Sequence, residues 1–265
     1  MKKDWDALIL LDGCRYDTLR NRTDLGQISS VISMGSESWE FMKANFLREA
    51  HHDTVYITAN PHTEWLPDET FHYIYKLYQS EWDEESQTIQ PEDVAAVAKK
   101  AQSEFPKKQL LIHFMQPHFP FLGEAGEEID MRLSPSKSSN HPREHSATIN
   151  PWYLARFNGH SISDLKQAYK ENFDIVWETA HDLVSDLEGR IIVSSDHGNL
   201  IGERLWPIPI RGYGHPRGVR HDDLVRVPWV VFDGKRRTIV SEPPVGNKNI
   251  DKNIIEDRLQ SLGYQ

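Results

Sequence analysis

The sequence predicts an α/β fold, in which helices flank a doubly wound, mostly parallel sheet. Two observations predict it. Short apolar runs lack polar alternation, as strands buried on both faces do, and segments with helical periodicity separate these runs. Strands and helices that alternate in this way build parallel sheets, whose ligands bind beyond the carboxyl ends of the strands. We therefore expect functional residues where each apolar run ends.

Five apolar runs are the predicted strands, and three segments have helical periodicity. The strands are Ala7–Leu11, Val55–Thr58, Leu110–Phe114, Ile191–Ser195 and Val227–Phe232, and the helices are Pro91–Phe105, Ser163–Leu187 and a closing amphipathic helix at Ile254–Leu262. The segment 123–158 is rich in Ser, Pro, Asn and His and has no clear period. We interpret it as a long irregular excursion over the sheet edge and a candidate lid.

Length and composition narrow the class of protein. A chain of 265 residues suits a single domain spanning 1–265, and its 30 basic and 40 acidic residues give a net charge of −10. That charge repels phosphate backbones, so no nucleic-acid partner is expected. The sequence contains neither a signal-peptide pattern nor an apolar run long enough to span a bilayer, which predicts a cytoplasmic protein without an integral membrane segment. The oligomeric state is left open.

Acids and imidazoles follow the predicted strands. Asp12 ends the first run, and Asp196-His197-Gly198 follows the fourth. Carboxylate and imidazole side chains at converging strand ends can bind one divalent cation, so Asp12, Asp196 and His197 are the candidate metal ligands. The alternative is structural, with the aspartates capping helices and the histidine held by local hydrogen bonds. Such a ligand set leaves Ca²⁺, Mg²⁺, Mn²⁺ and Zn²⁺ possible.

A serine-rich loop supplies the candidate nucleophile. Ser36 and Ser38 lie just before the amphipathic stretch Glu40–Phe46, so Ser38 is expected at the start of a helix. Backbone N–H groups there favour an anionic substrate and an ionised hydroxyl. Either serine could instead be an ordinary helix N-cap.

Five motifs stand in order along nearly the whole chain. They are Leu10–Asp17, the serine loop Gly35–Ser38, His113–Pro120, Ser195–Glu203 and Tyr213–Pro216. Their order resembles that of the alkaline phosphatase superfamily, and in particular its sulfatase-like branch of compact archaeal and bacterial proteins. Each motif alone is weak, but five in register are fairly specific.

The resemblance implies roles for individual residues. Asp12, Asp196 and His197 would bind the metal ion, and Ser38 would be the nucleophile, with Ser36 as the fallback. The resemblance also implies that His118 and His215 assist the leaving group or contact substrate oxygens, although His215 could instead be a ligand. Arg15 and His113 are weaker candidates for binding the substrate anion.

The sequence departs from the superfamily pattern in two ways. Classical sulfatases convert a Cys or Ser in a C/S-x-P/A-x-R signature to formylglycine, but neither Cys14 nor Ser38 has that signature. No formylglycine is expected, and phosphoester or phosphodiester chemistry is favoured over sulfate chemistry. Two-zinc members also have an Asp and a His between the nucleophile and Asp-His-Gly, whereas His113 and His118 have no carboxylate between them. One divalent metal ion is therefore expected.

These observations predict a metal-dependent hydrolase or transferase, sulfatase-like or phosphodiesterase-like, that acts on a phosphate or sulfate ester through a serine nucleophile. The substrate would be a small anionic ester or a glycan or lipid headgroup. An alternative is a non-catalytic module of the same fold that binds an anionic glycan or headgroup. A haloacid-dehalogenase-type phosphatase with Asp12 as nucleophile ranks lower, because that chemistry needs a second aspartate where Cys14 stands.

Overall fold

The structure is a computed structural model that describes residues 4–22, 28–129, 151–207, 209–246 and 258. Strands and helices alternate along these ranges. The strands are β1 (Ala7–Asp12), β2 (Ser29–Ile32), β3 (His51–Thr58), β4 (Phe71–Lys76), β5 (Gln109–Pro117), β6 (Ile191–Ser194), β7 (Leu200–Leu205), β8 (Ile210–Gly214) and β9 (Arg226–Phe232). The helices are α1 (Tyr16–Arg20), α2 (Ser38–Phe46), α3 (Leu77–Ser80), α4 (Pro91–Glu104), α5 (Glu124–Glu128), α6 (Pro151–Phe157), α7 (Ile162–Asp186) and α8 (Asp222–Val225).

Seven strands form one sheet in the order β2-β9-β6-β1-β5-β3-β4. Strand β1 pairs in parallel with β5 and β6, and β3 pairs in parallel with β4 and β5. The predicted α/β class with a mostly parallel sheet is confirmed. The five predicted runs became β1, β3, β5, β6 and β9.

Strand β9 is antiparallel to both of its neighbours, β6 and β2. Its apolar composition gave no sign of this direction, because burial on both faces produces the same pattern in either orientation. The edge strands β2 and β4 had not been predicted. Strands β7 and β8 form a separate antiparallel hairpin between Asp-His-Gly and the later His215 motif.

Two apolar layers cover the sheet because successive side chains of a strand point to opposite faces. Along β1, Ile9 and Leu11 pack with α4 and α7, whereas Leu8 and Leu10 pack with α2 on the other face. Helix α7 begins at a capping box between Ser161 and Asp164, close to its predicted start. Helices on both faces leave the carboxyl edge of the sheet as the place for a site.

Two predicted segments extend beyond the described residues. The ends of the excursion 123–158 are helical, as α5 and α6, and residues 130–150 lie outside the described residues. The predicted helix 254–262 also lies outside them, apart from Arg258. Within the described ranges, no helix combines the length and apolar character needed to cross a bilayer.

Candidate active site

The central strands bring two aspartates and a histidine together at the carboxyl edge of the sheet. Asp12 ends β1, His113 lies on the neighbouring β5, and Asp196 follows β6. His113 Nε2 lies 3.5 Å from Asp12 Oδ2 and 3.6 Å from Asp196 Oδ2, and all three side chains are fully buried. This buried Asp/His/Asp cluster is close enough to hold one metal ion.

His197 adds a second imidazole to this cluster. Its Nε2 lies 3.4 Å from Asp12 Oδ1 and 3.4 Å from Asp196 Oδ2. Its Nδ1 lies 2.7 Å from the carbonyl oxygen of Gly198, which can only accept, so Nδ1 carries a proton and the neutral ring offers the Nε2 lone pair to the cluster. Burial, the largest influence, lowers the pKa of His197, but the charges of Asp196 and Asp12 outweigh it and the net shift is upward. The same negative potential favours a metal cation.

The cluster fits a divalent cation in both chemistry and spacing. Neighbouring ligand atoms are 3.4–3.6 Å apart. A tetrahedral site with ligand bonds of about 2.0–2.1 Å has ligand atoms about 3.4 Å apart. Among the described residues, His113 Nε2 and Asp196 Oδ2 have no hydrogen-bond partner although they are buried. Buried polar atoms left in this way are typical of an ion site.

Ser38 is the first residue of α2 and reaches the cluster. Its Oγ lies 3.2 Å from Asp12 Oδ2 and 3.2 Å from His197 Nε2. The N-cap of α2 is Glu37, whose carboxylate accepts the N–H groups of residues 39 and 40, so neither serine performs that role. The Ser36 hydroxyl instead donates to Glu40 at 2.9 Å or to the Pro216 carbonyl at 3.1 Å. Only Ser38, of the two, meets the cluster.

Asn60, which sequence reasoning missed, orients Asp12. Its Nδ2 donates to Asp12 Oδ2 at 2.7 Å, and its Oδ1 accepts the backbone N–H of His62. The pKa of Asp12 lies well below its usual range: burial, the largest influence, would raise it, but the neighbouring imidazoles, with His113 foremost, outweigh burial. Asn60 follows β3 just as Asp12 follows β1. The strand-end rule would have found it if it had been applied to the run Val55–Thr58.

Tyr56 orients His113 and gave no sequence signal at all. Its hydroxyl lies 2.8 Å from His113 Nδ1, and the two rings stack at 6.2 Å. Donation from Nδ1–H to this hydroxyl leaves Nε2 as the lone-pair atom that faces the carboxylates. Such outer partners orient metal-binding histidines. His113, predicted as an anion contact, thus lies among the candidate ligand atoms.

His118 and His215 form a hydrogen-bonded pair beside the cluster. Their Nε2 atoms are 2.8 Å apart, and His118 Nδ1 lies 2.6 Å from the Phe119 carbonyl oxygen. His118 therefore donates through Nδ1, and its Nε2 accepts the proton that His215 donates. Burial is the main cause that lowers the pKa of both rings. The centroid of the His215 ring lies 4.7 Å from that of His197. The histidine pair therefore packs against His197, which in turn contacts Ser38.

The loops that carry Asp12 and Asp196 are tied to each other. Ser195 Oγ accepts the N–H of Cys14 at 2.9 Å and lies 2.6 Å from the Leu11 carbonyl oxygen. Close packing requires glycine at position 198, because a Cβ there would clash with the carbonyl oxygen of Asp223. These contacts hold the two strand ends in register.

Solved structures share this fold at low sequence identity. The integral membrane lipooligosaccharide phosphoethanolamine transferase EptA of Neisseria meningitidis matches with a TM-score of 0.52 and 12% identity, over 86% of this chain and 47% of that one. The zinc complex of the periplasmic domain of Escherichia coli EptC matches with a TM-score of 0.54 and 14% identity, over 87% of this chain and 72% of that one. A putative sulfatase of Bacteroides thetaiotaomicron matches with a TM-score of 0.52 and 12% identity, over 98% of this chain and 70% of that one. This chain has the fold that these transferase and sulfatase structures share.

This shared fold confirms the fold that the resemblance drawn from the five motifs implied. No family model and no curated protein matches the sequence. The chain spans about half the length of the EptA chain that it matches. The similar EptC structure is a periplasmic domain, and the cytoplasmic location expected here stays a prediction.

Arg15 lies near the site, but its guanidinium N–H groups already have partners within the protein. Its Nε and Nη2 bind the Asp17 carboxylate at 2.8 Å, and its Nη1 binds Glu203 at 2.9 Å and the Asn199 carbonyl oxygen at 3.0 Å. Nη2 also lies 3.4 Å from Asp223. These partners match the five N–H donors of a guanidinium. The geometry therefore favours a structural role for Arg15 over the predicted anion contact.

Proposed function

We propose that this protein hydrolyses or transfers a phosphate ester through Ser38, with the help of one divalent metal ion. One observation carries the proposal: the Ser38 hydroxyl lies 3.2 Å from both Asp12 and His197, within a buried group of carboxylates and imidazoles. Nucleophilic displacement at a phosphate ester needs an attacking hydroxyl and positive groups that bind the anion. Here the Ser38 hydroxyl, the candidate ion site and the N-terminus of α2 lie together.

Asp12, Asp196 and His197 are the proposed ligands, and His113 is an additional one. When bound, a divalent cation would lower the pKa of a neighbouring hydroxyl and stabilise charge that develops on the transferred group. Two carboxylates and two imidazoles at this spacing favour Zn²⁺ over Ca²⁺, because Ca²⁺ takes six to eight oxygen ligands.

The side chains divide the reaction between them. Ser38 Oγ attacks phosphorus while the bond from phosphorus to the leaving oxygen breaks, and the hydroxyl proton passes to a neighbouring base. The His118–His215 pair, once it has taken up one further proton, can give that proton to the leaving oxygen and return to its neutral form. Water or an acceptor alcohol then attacks phosphorus, which releases the product and restores the Ser38 hydroxyl.

Phosphate is favoured over sulfate for a structural reason as well. Cys14, the single cysteine, is fully buried, and burial is the largest cause that raises the pKa of its thiol. A buried, protonated thiol is a poor nucleophile and a poor substrate for oxidation to formylglycine. Cys14 is therefore a poor candidate nucleophile, and Ser38, which lacks the formylglycine signature, is proposed to act in unmodified form, which suits a phospho-enzyme.

The test uses Ser38→Ala, with Ser36→Ala as its matched control. Metal content is measured first, and then turnover of p-nitrophenyl phosphate, bis-p-nitrophenyl phosphate and p-nitrophenyl sulfate. We expect Ser38→Ala to lose about 10³-fold or more in kcat and to keep its metal, and Ser36→Ala to stay active. Full activity of Ser38→Ala would contradict the proposal. Metal binding without turnover of any ester would favour the non-catalytic binding module.

A further inference from the structure

The hairpin β7–β8 carries an exposed apolar tip. Trp206 is 91% exposed and Ile210 is 53% exposed, although large apolar side chains are usually covered. The two strands run from the pair Leu200 and Gly214, beside the site, to the pair Leu205 and Ile210. With about 3.4 Å per residue, the tip lies about 17 Å from the site end of the hairpin.

Helix α6 extends this exposed surface. The Tyr153 ring packs 5.2 Å from that of Tyr213 on β8, which fixes α6 against the hairpin. Tyr153 is 40% exposed, and Phe157, one helical turn further on the same side, is 79% exposed. We call Trp206, Ile210, Tyr153 and Phe157 the apolar rim. It contains the two most exposed of the large apolar side chains in the described ranges.

The charge around the rim is opposite to that of the whole protein. Residues 204–211, which form the tip of the hairpin, contain two arginines and no acid, within a chain of net charge −10. Arg204 and Arg211 face each other across the hairpin next to the tip, and both are exposed. The preceding acid, Glu203, points back to Arg15. Since screening confines charge effects to about 8–10 Å, the local arginines rather than the net charge decide what this surface attracts.

We propose that the hairpin and α6 dock on an anionic lipid bilayer. Trp and Tyr prefer the boundary between lipid and water, apolar side chains gain by insertion there, and flanking arginines bind anionic headgroups. A nucleic acid would use the arginines but would leave Ile210 and Phe157 exposed, and the chain's net charge repels it. The docking goes beyond the proposed reaction and does not depend on it.

Vesicle binding tests the proposal with two pairs of variants. The probes are vesicles of phosphatidylcholine alone and vesicles that also contain phosphatidylglycerol, and bound protein is measured by co-sedimentation. Trp206→Ser with Ile210→Ser removes the apolar tip, and its control is Leu47→Ser, an exposed apolar residue just after α2. Arg204→Ala with Arg211→Ala removes two charges, and its control is Lys99→Ala with Lys100→Ala on α4, which removes the same charge.

We expect the wild-type protein and both controls to bind the phosphatidylglycerol vesicles at low salt and to bind phosphatidylcholine weakly. Each hairpin variant should bind about tenfold more weakly or worse, while its thermal midpoint and its turnover of soluble aryl phosphates stay unchanged. Absence of wild-type binding to anionic vesicles would overturn the docking, as would hairpin variants that bind like the wild type. Either result leaves the Ser38 test untouched, because that test is carried out without lipid.

Discussion

Two fully buried aspartates stand at opposite ends of strand β1, and their surroundings differ. Asp6, just before the strand, accepts the backbone N–H of Arg190 at 2.7 Å and the side-chain Nε of Arg236 at 2.6 Å. Asp12, at the other end, meets imidazoles, an amide and the Ser38 hydroxyl. Arg236 supplies a fixed positive charge to the first carboxylate.

The amino edge of the sheet pairs a second buried charge, that of Lys108. Lys108, whose side chain is 3% exposed, donates from Nζ to the carbonyl oxygens of His52 and Val240 and pairs with Glu242 at 2.9 Å. These bonds attach the extended segment 234–246 across the amino ends of the strands. Burial of a charge is costly unless the charge is paired and hydrogen-bonded, and this edge meets both conditions internally.

The comparison separates buried charge that stabilises the fold from buried charge that awaits a ligand. At the carboxyl edge, two carboxylates converge, and Asp196 Oδ2 has no hydrogen-bond partner in the described part of the chain. An arrangement of this kind is unfavourable without a cation. Its retention beside a nucleophilic hydroxyl supports a metal-dependent function.

The largest expected effect comes from substituting the two aspartates at the ends of β1, which tests the comparison directly. Asp12→Asn should lower turnover about 10³-fold or more, because it removes a candidate metal ligand. Asp6→Asn should keep turnover and lower the free energy of unfolding by about 2–3 kcal/mol, because Arg236 loses its buried partner. Urea denaturation and steady-state kinetics measure both. If Asp12→Asn were active and as unstable as Asp6→Asn, the distinction would fail.

Arg15 offers a second test of the comparison. It lies near the site, but its charge is paired with carboxylates, as the buried charges at the amino edge are. Arg15→Met should lower the free energy of unfolding by about 2–3 kcal/mol, since three carboxylates lose their partner, and should leave KM within about twofold. Arg22→Met, at a more exposed ion pair with Asp174, is the control and should cost under about 1 kcal/mol. A tenfold rise in KM for Arg15→Met would instead restore its predicted anion contact.

Asn60 and Tyr56 are hydrogen-bond partners of two candidate ligands at the carboxyl edge of the sheet, Asp12 and His113. Asn60→Ala and Tyr56→Phe should each weaken Zn²⁺ affinity about 10- to 100-fold, because the Asp12 and His113 side chains lose their orienting partners. Competition with a chromophoric chelator measures the affinity, and excess Zn²⁺ should restore much of the turnover. The control is Tyr78→Phe, a buried tyrosine bonded to Glu64 instead. Unchanged affinity in both site variants would exclude an orienting role.

Acid should act through the buried imidazoles of the carboxyl edge. Burial, the largest cause, lowers the pKa of His62 from 6.5 to about 3. Between these two values the unfolded chain binds a proton that the folded chain excludes, so stability falls as the pH falls through this window. His62 contributes a slope of up to about 1.4 kcal/mol per pH unit.

His62→Gln should therefore flatten the dependence of unfolding free energy on pH between about pH 4 and 6 in metal-free protein, as urea titrations would show. Equal slopes for the wild type and His62→Gln would remove His62 from the explanation.

The strand-end rule explains which parts of the site were predictable. Asp12, Asp196 and His197 directly follow apolar runs, and Ser38 begins an amphipathic stretch. Local pattern together with the resemblance identified these four side chains, and the structure places each within 3.2–3.4 Å of at least one of the others. Tyr56 looks like any residue of a buried strand, and its role depends on β3 lying beside β5. The roles proposed for these residues remain predictions.

The sequence by itself determined the α/β class and the five central strands, and it narrowed the candidate nucleophile to Ser36 or Ser38, because apolar runs and helical periodicity are local properties. Only the tertiary structure decided that β9 runs antiparallel, that His113 joins the carboxylates, that Arg15 is occupied by acids, and that Trp206 is exposed on a basic hairpin. Each of these depends on which distant side chain lies a few ångströms away. A local pattern does not specify that neighbour, because the packing of the whole sheet selects it.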